Sequence, residues 1–216
     1  ERYLRRIDSA AGDAAETVKR MRKFYKPQEQ SSTEPLDLNR CIHDAVETTA
    51  SHWKDETQAR GAPVHVEKDL HPVPAIRGNE AEIHELLTNL ILNAVDAMPE
   101  GGQLAFSTRQ EGEDTVELSV SDTGVGMCEK VRRQCFNPFY TTKGSTGSGL
   151  GLSTVKGIVR RHAGAIEVES EEGEGTTFRI RLPVAEGDDE EHAEAESPPK
   201  VPASIDPLDI LVIEDD

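Results

Sequence analysis

The sequence predicts an α/β two-layer sandwich, a mixed and mostly antiparallel sheet with helices on one face, preceded by one long helix. Three patterns point there: four segments of alternating apolar and polar residues, a strongly amphipathic helix over Glu80 to Met98, and a second helix over Leu152 to His162 placed between strand pairs. A domain of roughly 150 residues can bury a core of its own. The 216 residues therefore allow one such domain with attachments.

In chain order, Leu4, Ile7, Ala11, Ala14, Val18, Met21 and Tyr25 are spaced alternately by three and four. That spacing places one apolar seam along a helix and calls for a partner helix. Pro27 ends it, and residues 1–26 carry eight basic against four acidic side chains. Residues 28–35 form a polar linker, after which Leu38 to Trp53 reads as an amphipathic helix, with short strands at Val64 to Val66 and Ala75 to Ile76. The helix from Glu80 is closed by Pro99 and the Gly101-Gly102 turn. Gln103 to Arg109 and Thr115 to Ser121 alternate as a strand pair; a glycine-rich region runs from Asp122 to Gly151. The helix Leu152 to His162 and the strands Ala165 to Ser170 and Thr176 to Leu182 complete a domain over 36–185. Residues 186–206 are an acidic, proline-containing linker, and 207–216 resemble the first strand of a domain cut short.

The chain carries 41 acidic and 24 basic residues, a formal charge of −17. This disfavours nucleic acid and anionic membrane as partners. No apolar run approaches the roughly 18 residues a membrane helix needs, and no leader peptide is visible. Three cysteines, Cys41, Cys128 and Cys135, form no CxxC pair; they are expected to be structural thiols in a reducing cytoplasm.

On the helix Glu80 to Met98, Ile83, Leu86, Leu87, Leu90, Ile91 and Ala94 share one face, and Glu85, Asn89, Asn93 and Asp96 the opposite one. Asparagine is a mediocre helix former whose carbonyl is a hard oxygen suited to Mg²⁺. Two of them one turn apart suggest a metal and phosphate edge, although a solvated helix face would show the same stripe. In Asp122-Thr-Gly124-Val-Gly126-Met127 a carboxylate at a strand end precedes two glycines. It can accept a hydrogen bond from an exocyclic amino group such as that of adenine; an ordinary Asp-Gly turn is the plainer alternative.

Gly144-Ser-Thr-Gly147-Ser148-Gly149-Leu150-Gly151-Leu152 runs straight into a helix, offering backbone amides and a helix N-terminus to phosphates. It lacks the P-loop spacing and the dinucleotide fingerprint. Between the boxes, Phe136-Asn-Pro-Phe139-Tyr140-Thr141-Thr142-Lys143 reads as an aromatic anchor followed by a lid, with Phe136 and Phe139 packed on the core and Lys143 reaching the phosphates. Thr176 opens the last strand on the face shared with Phe178, Ile180 and Leu182, facing either an adenine edge or simply the core.

These elements in this order resemble the ATP-binding catalytic domain of sensor histidine kinases, a Bergerat-type fold shared with gyrase, heat-shock chaperone and mismatch-repair ATPases. The boxes are Glu85 to Ala94, Asp122 to Gly126, Phe136 to Phe139 and Gly147 to Leu152. The resemblance implies ATP and Mg²⁺ as ligands, with Asn93 on the metal, Asn89 beside the phosphates and Asp122 on the adenine amino group. It implies a nucleotide-binding set of Asn89, Asn93, Asp96, Ala97, Asp122, Gly124, Gly126, Met127, Tyr140, Thr141, Thr142, Lys143, Gly147, Ser148, Gly149, Leu150, Gly151, Leu152 and Thr176. Asn89 and Lys143 would be the catalytic pair. Where hydrolysing relatives look to have a glutamate, Asn89 is an amide that cannot take a proton, so ATP should be held without fast hydrolysis.

Residues 1–27 resemble the second helix of a dimerisation and phosphoacceptor hairpin, and Asp209 to Asp216 the start of a receiver domain. The resemblance implies a piece of a hybrid kinase that works as a homodimer, with a histidine-bearing helix and a receiver as partners. None of His43, His52, His65, His71, His84, His162 and His192 has the acceptor context, so all are expected to be ordinary residues and the chain alone should not autophosphorylate. The rival readings are a hydrolytic ATPase of the same fold and a nucleotide-independent interaction module.

Overall fold

The computed structural model of the chain describes residues 34–59, 61–144 and 147–185, without the side chains of His52, Asp55 and Glu56. The helix expected over 1–27 and the strand expected over 207–216 lie outside the described residues.

Strands β2 (Val64–Leu70), β4 (Gly102–Glu111), β5 (Thr115–Asp122), β6 (Ala165–Glu171) and β7 (Gly175–Pro183) form one sheet in the order β2-β4-β5-β7-β6. Only β2 and β4 are parallel, joined by a crossover through a helix; the other neighbours are antiparallel. A small antiparallel pair, β1 (Glu34–Leu36) with β3 (Ile76–Gly78), stands beside it. Helices α1 (Leu38–Ala59), α2 (Glu80–Ala97) and α4 (Gly151–Arg161) form the second layer, and α3 (Glu129–Gln134) is a short turn of helix near the site. The expected sandwich is the observed one.

Alternation makes this sheet two-faced. Register aligns Phe106, Val120, Phe178 and Val168 in one row across β4, β5, β7 and β6, and Thr108, Leu118, Ile180 and Ile166 in the next. Phe106, Leu118 and Ile180 are fully buried beneath the helices. The opposite face is charged: Arg109 holds the buried Glu117 at 2.7 Å, and Arg181 reaches Glu111 at 2.8 Å and Glu167 at 3.0 Å. Of the two helical faces predicted for α2, the apolar one is buried throughout from Ile83 to Ala94. Asn79 caps α2 by accepting from the Glu82 amide at 3.0 Å.

Three local differences from the sequence reading have simple causes. The linker read over 28–35 already contains β1 from Glu34, an edge strand that tolerates Pro35. Helix α1 continues past Trp53 to Ala59, because nothing breaks it before Gly61, whose φ of +70° and amide bond to the Gln58 carbonyl end it. Helix α3 lies inside the region read as glycine-rich loop.

His162 is an ordinary core residue, as expected: its Nδ1 donates to the Ile158 carbonyl at 2.9 Å and its Nε2 accepts from the Asn79 amide at 3.1 Å. His43, His65 and His71 are exposed and His84 half-buried; the side chains of His52 and His192 lie outside the described residues.

Candidate functional site

The end of the sheet holds a second kind of row. Continuing the register, Asp122 of β5 stands opposite Thr176 of β7, and Thr176 opposite Ser170 of β6. Asp122 and Thr176 are each 6 % exposed. The Asp122 Oδ1 accepts from the Gly124 amide at 2.9 Å, and the Thr176 backbone also bonds the carboxyl. Burial pushes the acid up from the ordinary carboxylate range, and these two backbone bonds offset part of that.

Backbone closeness explains the glycines around it. A Cβ on Gly124 would lie 2.5 Å from the Ala97 carbonyl oxygen, and the Val125 amide donates to that same oxygen at 2.9 Å. The loop after β5 is thereby clamped to the C-terminal end of α2. A Cβ on Gly126 would sit 1.9 Å from the Glu171 carbonyl oxygen, in a backbone with φ +65°.

Opposite this floor, Asn89, Asn93 and Asp96 descend α2 on one face. The Asn89 amide donates to the Glu85 carbonyl at 2.8 Å, which leaves its oxygen toward Gly151 at the start of α4. A Cβ on Gly151 would approach Asn89 Oδ1 to 3.1 Å and Asn93 Nδ2 to 3.4 Å, so a glycine lets α4 begin against the asparagines. Lys143 Nζ reaches Asp96 Oδ2 at 2.5 Å and Asn93 Oδ1 at 3.4 Å. The Lys143 amide in turn donates to Thr141 Oγ1 at 3.0 Å.

Between these walls lies a cavity of about 460 Å³. It brings together Asn93, Asp96, Ala97, Asp122, Gly126, Met127, Tyr140, Thr141, Thr142, Lys143, Gly147, Ser148, Gly149, Leu152 and Thr176 of the residues singled out in the sequence. Asn89, Gly124, Leu150 and Gly151 are not among its lining residues: Asn89 is covered by Gly151, Gly124 serves the Asp122 carboxyl, and Leu150 is buried. Val131 of α3, Cys128 and Cys135 at its two ends, and Phe178 add apolar wall that the sequence reading did not assign. Cys41 is a core thiol, pushed up to about 11 mainly by burial, but Cys128 and Cys135 also border the cavity. Phe136 packs edge-on against Phe178 with ring centroids 6.3 Å apart, as expected. Phe139 does not pack on the core: it is 56 % exposed, because its left-handed backbone, φ +65°, donates to the Gly149 carbonyl at 2.9 Å and directs the ring outward.

The chain that builds this cleft is similar to known proteins. Residues 78–186, half of the chain, match the Histidine kinase-, DNA gyrase B-, and HSP90-like ATPase family. The chain belongs to that family. It is 38 % identical over 134 residues to Sporulation kinase E of Bacillus subtilis, covering 62 % of this chain and 18 % of that protein. It is 35 % identical over 192 residues to Sensor kinase CckA of Brucella abortus, covering 82 % of this chain and 20 % of the relative. The chain thus spans about a fifth of these relatives. Among solved structures, the mycobacterial sensor histidine kinase MprB superposes with a TM-score of 0.61 at 27 % identity, covering 70 % of this chain and 97 % of that one. Full-length ShkA in complex with AMPPNP gives 0.62 at 26 %, covering 73 % and 32 %. No helix among the described residues is long and apolar enough to cross a membrane.

Proposed function

We propose that this chain is the catalytic ATP-binding part of a sensor histidine kinase, which binds Mg-ATP and passes the γ-phosphoryl group to a histidine on a dimerisation hairpin. The observation that carries the reading is the polarity of the cavity: a buried, backbone-anchored carboxyl at one end and Asn93, Asp96 and Lys143 at the other. The first end suits the amino edge of a base, and the second suits a charged chain of phosphates.

The residues present fit Mg²⁺ as well, because Asn93 Oδ1 is a neutral hard oxygen that already faces a cation, the Lys143 ammonium. Bound there, Mg²⁺ would supply neutralisation of phosphate charge. The chain's own residues do the rest by positioning. Asp122 and Thr176 orient the base, and the start of α4 offers backbone N–H groups that no side chain caps. Lys143 contributes a mobile positive charge at the phosphate end. In the transfer an imidazole nitrogen bonds the γ-phosphorus as the bond from that phosphorus to the β–γ bridging oxygen breaks, and that oxygen leaves with ADP. Asn89 offers no proton acceptor, and its amide is engaged by Glu85, which speaks for transfer over hydrolysis.

On this reading the partners are a second copy of the chain, the histidine-bearing helix and a receiver domain; the likeness to proteins named sensor kinase and sensor histidine kinase supports the kinase part of it. Calorimetric titration of a non-hydrolysable ATP analogue tests the site. Saturable, Mg²⁺-dependent binding is expected, weakened about ten-fold or more by Asp122→Asn, since a hydrogen bond to a charged group is worth about 1.5 to 3 kcal/mol. Radiolabel from γ-labelled ATP should then appear on a separately supplied histidine hairpin and not on this chain alone. Absence of binding by the unaltered chain would overturn the proposal.

A further inference from the structure

Ser170 is the third member of the row that begins with Asp122 and Thr176, and neither the sequence motifs nor the cavity lining includes it. Its hydroxyl makes three hydrogen bonds. Its Oγ is 2.8 Å from the Gly175 carbonyl oxygen, 2.8 Å from the Met127 amide nitrogen and 3.0 Å from Thr176 Oγ1.

A serine hydroxyl has one proton and two lone pairs. The Gly175 carbonyl can only accept, so the Ser170 proton goes there. The Met127 N–H can only donate, so it takes one lone pair. The remaining lone pair faces Thr176, whose hydroxyl is left with the donor role in that contact. With its proton committed to Ser170, Thr176 turns only lone pairs toward the cavity that it borders beside Asp122.

We infer that Ser170 is a positioning and specificity-determining residue: it fixes the Thr176 hydroxyl as an acceptor, so that the floor selects a purine bearing a 6-amino donor over one bearing a 6-oxo group. This rests on the nucleotide reading of the cavity and assigns the base discrimination within it. Asp122 and Thr176 together form a wall of acceptors. A 6-amino group satisfies it, whereas a 6-oxo group would set its lone pairs against those of the wall. Without Ser170, the Thr176 hydroxyl turns freely and donates to a 6-oxo group. Ser170 also ties β6 to the loop after β5 through Met127, so one side chain sets both the polarity and the height of the floor.

The test compares ATP with inosine triphosphate on the 216-residue chain, using dissociation constants from calorimetry in excess Mg²⁺. Unaltered protein should prefer ATP. In Ser170→Ala the preference should fall about five- to ten-fold, the size of one reoriented hydrogen bond, and Ser170→Thr should restore it. A general loosening of the fold would weaken both nucleotides equally and leave their ratio unchanged, and that result overturns the inference. Should Ser170→Ala not fold, Thr176→Val in place of it removes the acceptor itself; an unchanged ratio there overturns the inference equally. Failure of the unaltered chain to bind either nucleotide would instead count against the nucleotide site as a whole.

Discussion

The two sides of the cleft are built by opposite means. The floor, where β5, β7 and β6 end, is held mainly by backbone: Asp122 by the Gly124 amide, Val125 by the Ala97 carbonyl, and the Gly126 and Gly175 positions by carbonyls too close for any side chain, with the Ser170 hydroxyl added beneath the Met127 amide. Among the described residues, the glycine-rich side is held by exposed side-chain contacts, chiefly Lys143 to Asp96 and Asn93, together with the backbone bond from Phe139 to Gly149 and a local turn from the Tyr140 amide to the Asn137 carbonyl. A surface fixed by backbone has its donors and acceptors in place before any ligand arrives, and specificity belongs there. A surface fixed by exposed side chains rearranges at little cost, and charge is better handled there.

The largest expected effect tests the stiffness of the floor. Gly175 has φ +99°, and a Cβ there would lie 2.0 Å from the Asp122 carbonyl oxygen. Backbone cannot move aside as a flexible side chain can, so Gly175→Ala should cost about 3 to 5 kcal/mol of stability and abolish nucleotide binding. Gly144 on the opposite side has φ +58° but nothing within 4 Å of an added Cβ, so Gly144→Ala should cost only about 1 kcal/mol, the strain of the backbone alone. Denaturant midpoints measure both. Equal losses would remove the distinction between the two sides.

Most of the architecture and half of this contrast could be read from the sequence, for a physical reason. Periodicity encodes which face of an element is buried, so α2 with its asparagine face, the alternation of β5 and β7, and the place of Thr176 are all visible in single segments. What depends on two segments meeting is not. The register that sets Ser170 beside Thr176 arises from a hairpin whose turn, not its composition, fixes the pairing. Helix α3 is hidden by glycines on both sides, and with it the wall formed by Cys128, Val131 and Cys135. Phe139 misleads for the same reason: an aromatic residue suggests burial, but a left-handed backbone bonded to Gly149 decides its direction. Asn89 matched the box yet sits beneath Gly151, because only the packing of α4 on α2 shows which asparagine meets the cavity.

An intermediate effect separates the floor's affinity from its stability through pH. Burial raises the folded-state pKa of Asp122 above its unfolded value. Between the two values the folded chain holds more protons than the unfolded one, so this group's contribution to stability falls as pH rises through that window. Affinity for an adenine nucleotide runs the other way, since only the carboxylate fully accepts from the amino group. Binding should weaken about ten-fold as pH drops through the raised value, and Asp122→Asn should show a flat, uniformly weak profile across the same range. Titrations over a pH series read this directly. A profile for the unaltered chain as flat as that of Asp122→Asn would mean that the carboxyl does not meet the base.

The smallest effect probes the other side. The Lys143 and Asp96 side chains are 39 % and 57 % exposed, so their pair contributes at most about 1 kcal/mol, and Lys143→Met should leave the thermal midpoint nearly unchanged. What it removes is a positive charge at the phosphate end of the cleft. Affinity for ATP should fall a few-fold, about three to ten, the loss shrinking as salt rises, while adenosine, which meets only the floor, should bind as before. Calorimetry with the two ligands at low and high salt isolates the charge term. If adenosine weakened in step with ATP, the loop would be setting the geometry of the floor as well, and the division between a backbone-fixed surface for the base and a side-chain-fixed surface for the phosphates would not stand.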